Sequence, residues 1–147
     1  MSPIEKASAS DFDELYRLNV RAPYLLTQAL IPMLRAQKGQ VVFLNSTVGL
    51  RSKARIAQYA ATKHALKAVA DSLREELNEA GVRVLSVFLG STATPMQERI
   101  HKIEGRIFRP ELLCQPSDVA SIVISSLLLP KTAEVTDIII RPMKKSD

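Results

Sequence analysis

Glycine is scarce in this chain: five occur in 147 residues, at positions 39, 49, 81, 90 and 105, and no two lie closer than nine apart. A GxGxxG or Walker-type loop needs clustered glycines so that backbone amides can approach phosphate oxygens, and none can be built from these. Tryptophan is absent and aromatic residues make up 5%, which leaves few stacking platforms for nucleic-acid bases. The net charge of +5, gathered loosely at Arg51, Lys53, Arg55 and a Lys144-Lys145 tail, therefore reads as solvated basic loops, with no nucleic-acid partner. The single cysteine, Cys114, excludes an internal disulfide and has the habit of a small buried side chain. His64 and His101 are isolated, with no second cysteine and no HExxH, so no metal site is expected. The longest apolar stretches, such as IVISSLLL, fall far short of the roughly 20 residues of a spanning helix, so no membrane partner is expected. The opening MSPIEKASASDFDE carries acids and no apolar run, unlike a signal peptide, and a cytoplasmic location is the expectation.

With 46% apolar and 24% charged residues, the chain has the composition of one globular domain. Ser10, followed by Asp11, Asp13 and Glu14, predicts a helix start, from which a helix runs to about Arg35. It carries Pro23 and Pro32, each of which removes the donor to the carbonyl four residues back, at Asn19 and Gln28. QVVFLNS after Gly39 reads as a strand buried on both faces. The polar loop TVGLRSKARIAQ leads to an alanine-rich helix from Gln58 to Asn78, stopped by Gly81. Val82 to Leu89 predicts a second strand, and Gly90 to Pro116 is a flap with a short helix near Met96 to Ile103. Met96, Ile100 and Ile103 are expected to pack within the protein. Ser117 caps a last helix to Leu129, and EVTDIIIR is a third strand. Helix and strand alternate three times, which implies α/β architecture with a parallel sheet and right-handed crossovers.

Tyr59 and Lys63, in QYAATK, share a helical face. A cation beside a phenol lowers its pKa of about 10 and makes it a usable acid or base. YxxxK alone is also common on wet helix surfaces. Ser46 ends a buried strand, where ligands sit in parallel α/β sheets. Asn19 offers a main-chain carbonyl that Pro23 deprives of its donor, a place for a water able to pass protons to Lys63.

Together, Asn19, Ser46 in NSTVG, Tyr59 and Lys63 in YAATKHAL, with LNVRAPYLLTQALIPML and ADSLREELNEAGVRV in order, resemble the short-chain dehydrogenase/reductase family over essentially the whole chain. The resemblance implies a partial Rossmann-like, doubly wound parallel sheet of three strands with helices on both faces. It also implies an NAD(P)-dependent oxidoreductase moving hydride between nicotinamide and a small-molecule carbonyl or alcohol. Tyr59 would be the acid or base, Ser46 would hold the substrate oxygen, and Lys63 would lower the Tyr59 pKa and bind the nicotinamide ribose. Asn19 would anchor a relay water. Gly90, Thr92 and Thr94 in LGSTAT would contact the cofactor, NAD or NADP, although Leu89 stands where the family usually has proline.

The resemblance further implies what this chain does not hold: the glycine-rich turn, the residue that selects NAD or NADP, and an Asn-Asn-Ala-Gly turn. Residues 1–147 are expected to form a single domain matching the carboxyl-terminal part of such an enzyme, with the Gln40 strand lacking its inner neighbour and cofactor binding by this chain alone doubtful. Two functions follow as expectations: an oxidoreductase completed by an amino-terminal half, or a non-catalytic dimerisation module. The second rests on the small side chains Ala60, Ala61, Ala65, Ala68 and Ala70 and on the family's four-helix contact, here through helices 10–35 and 58–78 of a homo-oligomer.

Overall fold

The computed structural model describes residues 2–144. Lys144 is described, but the last three residues, and with them Lys145 of the basic tail, lie outside the described range. Three parallel strands, β1 (Gln40–Ser46), β2 (Arg83–Leu89) and β3 (Asp137–Ile140), form one sheet in that spatial order. The register runs from Gln40 opposite Arg83 to Ser46 opposite Leu89, so the carboxyl ends of β1 and β2 finish together. Helices surround the sheet: α1 (Ala9–Tyr16), α2 (Ala22–Gln37), α3 (Ala57–Leu77), α4 (Pro95–Ile103) and α5 (Pro116–Leu127). This is the parallel α/β sheet that the alternating pattern predicts, in the three-stranded, partial Rossmann-like form that the resemblance implies.

Strand alternation sends Val41, Phe43 and Asn45 toward α3. There Phe43 and Val84 meet Leu66, Ala70, Leu73 and Leu77 in the core, with Ile31 and Leu34 of α2 packed against it. Full burial of each large apolar side chain contributes roughly 1.5–3 kcal/mol, so this cluster fixes where α3 lies across β1 and β2. The neighbouring positions of β1 face the other way, and Leu44 is 57% exposed at the sheet edge. Among the described residues no strand pairs with the outer side of β1. α5 is anchored beyond the sheet by its carboxyl end: Gln40 Nε2 and Arg83 Nη2 both donate to the Leu127 carbonyl at 3.2 Å.

Four boundaries differ from the sequence reading, each for a local reason. The expected helix 10–35 is two helices joined by a π turn at Arg17–Arg21, in which the Ala22 amide reaches the Arg17 carbonyl. The wider turn lies immediately before Pro23, which cannot donate, and π turns are common where such a bond is lost near a functional group. Ser8, not Ser10, caps α1, its hydroxyl accepting from the Asp11 amide at 3.3 Å. Gln115, not Ser117, is the N-cap of α5, in a reciprocal box with Asp118, whose Oδ2 accepts from the Gln115 amide at 2.9 Å. β3 begins only at Asp137, because Glu134 uses its side chain: Oε1 accepts from the Val84 amide at 2.9 Å, the bond a strand backbone would have made. Gly81 does end the α3 segment, at φ 75°.

Candidate active site

The carboxyl end of β1 and the first two turns of α3 are tied together by buried polar groups. Asn45, 4% exposed, is on the α3 face of its strand and must satisfy a carboxamide in the interior. Its Nδ2 donates to the Lys63 carbonyl at 3.0 Å and its Oδ1 accepts from the Ser46 amide at 2.8 Å. Gly49, buried in the turn after β1, presses on the same place: a Cβ there would lie 2.8 Å from the Lys63 carbonyl oxygen. From the other side, Asn19 Nδ2 in the π turn donates to Thr62 Oγ1 at 3.1 Å, and Thr62 in turn donates to the Tyr59 carbonyl at 2.8 Å. Thr62 has no exposed surface.

These ties bring the four candidates to one corner of the molecule. The Ser46 side chain is close enough to the Tyr59 phenol to act on its titration, drawing its pKa down. Its oxygen also accepts from the Val48 amide at 3.4 Å, which orients it across the strand end. Lys63 Nζ lies 5.7 Å from the centroid of the Tyr59 ring, within reach of its π face. Asn19 stands behind the helix, through Thr62.

The electrostatics depart from the expectation that Lys63 lowers the Tyr59 pKa. Burial pushes the Tyr59 phenol up from its ordinary value, and only the Ser46 hydrogen bond works against it. Burial also pushes the Lys63 ammonium down. Both groups are thus held toward their neutral forms, because desolvation disfavours charge, and the cation lies over the ring rather than at the hydroxyl.

The second wall is the segment leaving β2. Gly90 donates from its amide to the Ile140 carbonyl at 2.8 Å, and a Cβ on it would come within 3.0 Å of Arg141. Its missing side chain therefore lets the end of β3 pack closely. Thr92 Oγ1 donates to the Gly90 carbonyl at 3.1 Å, and a backbone bridge joins Thr92 to buried Cys114. Thr94 caps α4, its Oγ1 accepting from the Gln97 amide at 3.3 Å. The expectation that Met96, Ile100 and Ile103 pack inside is overturned for two of them: Met96 is 63% and Ile103 77% exposed. Ile100 is half-buried on the same short helix. Among the described residues nothing covers the Met96 and Ile103 side chains.

Sequence reasoning missed Asn45, Gly49 and Thr62. A polar residue at the core-facing position of a buried strand was the available signal for Asn45, since such a group demands partners. Among the described residues there is no group of three or more His, Cys, Asp or Glu able to hold a metal ion, and no helix long and apolar enough to cross a membrane.

Comparison with known proteins matches this arrangement to a family. Residues 1–105 match the short chain dehydrogenase family model. An uncharacterised oxidoreductase of Staphylococcus epidermidis is 29% identical over 97% of this chain and 60% of its own length. A cyclopentanol dehydrogenase of Comamonas is 32% identical over 84% of this chain and 52% of its own length. An L-fucose dehydrogenase of Bos taurus is 31% identical over 82% and 48%. Among solved structures, the closed form of a serine dehydrogenase with NADP+ superposes with a TM-score of 0.85 at 22% identity, over all of this chain and 62% of that one. That likeness shows the fold. The chain spans about half to three-fifths of the length of the curated relatives it matches. With the family model matched over more than two-thirds of its residues, the chain belongs to the short-chain dehydrogenase family.

Proposed function

We propose that this chain carries the acid-base half of a nicotinamide-dependent oxidoreductase acting on a small carbonyl or alcohol compound. The observation that carries the reading is the meeting of Ser46 and Tyr59 side chains at the carboxyl end of a parallel strand, with Lys63 beside the ring. Tyr59 gives a proton to the substrate oxygen, or takes one from it, through its phenolic hydroxyl. Ser46 donates to the same oxygen and offsets the charge that develops there. Asn19, through Thr62, and Asn45, through the Lys63 carbonyl, hold the helix turn that presents Tyr59.

The residues present fit the nicotinamide end of NAD or NADP: a phenol and an ammonium on one helix turn, with Gly90, Thr92 and Thr94 leaving the adjacent strand. Lys63 would hold the ribose hydroxyls and the Thr92 and Thr94 segment the carboxamide end. The nicotinamide, when bound, supplies the hydride donor or acceptor. Five dispersed glycines provide no cradle for its pyrophosphate, so the function needs a complementing glycine-rich half. The open β1 edge, seven residues without a charge and with Leu44 exposed, suits pairing with a strand of that half. Residues 1–147 then act as the carboxyl-terminal part of one such domain. Leu18, Leu26 and Met33, all more than half exposed along the π turn and α2, support homo-oligomer formation through helices 10–35 and 58–78.

The test is a titration of the purified chain with NADH and NADPH, followed by nicotinamide fluorescence, with and without an added glycine-rich half from a relative. No binding alone, and carbonyl reduction on addition that Tyr59→Phe lowers by about 10²–10⁴-fold, supports the reading. Micromolar binding by the chain alone contradicts the need for a second half, and activity unchanged by Tyr59→Phe removes Tyr59 from its role.

A further inference from the structure

A cavity of about 500 Å³ lies between the loop that leads into α3 and the end of α4, lined by Ala54, Arg55, Ile100, Ile103, Glu104 and Arg106. Its two walls grow from the carboxyl ends of β1 and β2, and Arg55 stands four residues before Tyr59. It therefore opens at the same end of the sheet as the proposed site.

The lining has a definite chemistry. One side is apolar, Ile100 and Ile103, the latter left bare to solvent. The other is cationic. Arg106 is ion-paired with Glu104, which cancels that charge locally. Arg55 makes no ion pair among the described residues. No acidic residue occurs anywhere from Leu15 to Ala70, a stretch that holds nine lysines and arginines, so the chain on either side of Arg55 is uniformly basic. Its backbone sits at φ 68°, in the left-handed region that a non-glycine residue rarely adopts. Such conformations cost of order 1–3 kcal/mol and tend to occur where a side chain is held for a ligand. The Arg55 carbonyl accepts from the Ser2 amide at 3.0 Å, which pins the turn.

We propose that the substrate of this site carries an anionic oxygen group, a carboxylate or a phosphate ester, which pairs with the Arg55 guanidinium while an apolar segment lies on Ile100 and Ile103. The inference rests on the functional reading above and adds the substrate's class to it. A planar guanidinium offers two parallel donors to either group.

Binding can be measured on the chain alone, without turnover. Hexanoate, hexyl phosphate and the neutral isostere hexanamide are titrated at low salt while the Ile100 and Ile103 methyl signals and the Arg55 Nε–H signal are followed by NMR. The expected result is at least about fivefold tighter binding of one or both anions than of hexanamide, with shifts at these three residues. The preference should fall as salt is added, disappear in Arg55→Gln and survive in part in Arg55→Lys. A stronger preference for hexyl phosphate assigns the phosphate ester, and a stronger one for hexanoate the carboxylate. Equal binding of hexanamide, no binding by any probe, shifts confined to other residues, or a preference that Arg55→Gln leaves intact would each overturn the proposal. Tyr59→Phe should leave the preference unchanged, so loss of anion preference refutes this inference alone. Tyr59-independent turnover with the preference retained refutes only the functional reading.

Discussion

The Asn45 carboxamide crosses from the end of β1 to the backbone of α3, its Nδ2 donating to the Lys63 carbonyl at 3.0 Å while its Oδ1 receives the Ser46 amide. One buried side chain thus sets the distance between the strand that carries Ser46 and the helix turn that carries Tyr59 and Lys63. Asn45→Ala removes the side-chain acceptor of the Ser46 amide and the extra donor to the Lys63 carbonyl, and is expected to cost about 2 kcal/mol. Urea unfolding gives that value as a lower midpoint at unchanged slope.

Gly49 should be intolerant for a reason of space. Its Cβ would meet backbone, the Lys63 carbonyl oxygen at 2.8 Å and carbon at 3.0 Å, and the Asn45 Oδ1 at 3.0 Å. Neither backbone atom can swing aside. Gly49→Ala should destabilise by about 1–3 kcal/mol and displace the amide signals of residues 59–63 more than those at the far end of α3, as a heteronuclear NMR comparison would show.

Stability in alkali should reveal Tyr59 and Lys63 separately. The folded Tyr59 pKa is raised above its ordinary 10.0, so the folded chain holds more protons than the unfolded one there. Stability is lost as pH rises from 10.0 through the folded pKa. The folded Lys63 pKa is lowered below 10.5, so the unfolded chain holds more protons between the two values and stability rises with pH in that window. Tyr59→Phe should abolish the fall and Lys63→Met the rise, measured as unfolding free energies between pH 8 and 12.

Arg74 holds α3 to the far side of the sheet. It is 9% exposed, donates to the Val84 and Thr136 carbonyls at 2.9 Å each, and pairs with Asp71 at 3.1 Å. Arg74→Met keeps the apolar stem but takes the guanidinium donor from the Val84 carbonyl and leaves the Thr136 carbonyl with the Ser86 amide alone. The two aspartates beside it, Asp71 and Asp137, are exposed enough to remain hydrated. A loss of about 2–4 kcal/mol is expected, with hydrogen exchange accelerating first in β3.

The strands and long helices were legible because their signals are local. QVVFLNS has strand length and apolar density, and the α3 segment repeats Leu66, Leu73 and Leu77 on one face. The candidate residues were legible through spacing. What escaped was whatever depends on a second segment. Ser10 and Ser117 both have capping chemistry, but Ser8 and Gln115 take the caps because the chain turns there. The π turn at Arg17–Arg21 follows from Pro23, whose missing donor was visible, but the way the helix absorbs the loss was not. Asn45 and Thr62 bond to partners 18 and 43 residues away, contacts that no single stretch announces. The direction of the Tyr59 shift depends on burial, a tertiary quantity, and so a YxxxK spacing alone predicted the opposite sign.

The convergence of Ser46 on Tyr59 is tested most directly by titrating the Tyr59 ring carbon bearing the hydroxyl, using specifically labelled tyrosine and NMR, in the parent chain and in Ser46→Ala. The account predicts a phenol that titrates above 10.0 in the parent and higher still in the variant, because the one influence opposing burial has been removed. A Tyr59 titration unmoved by Ser46→Ala would contradict it.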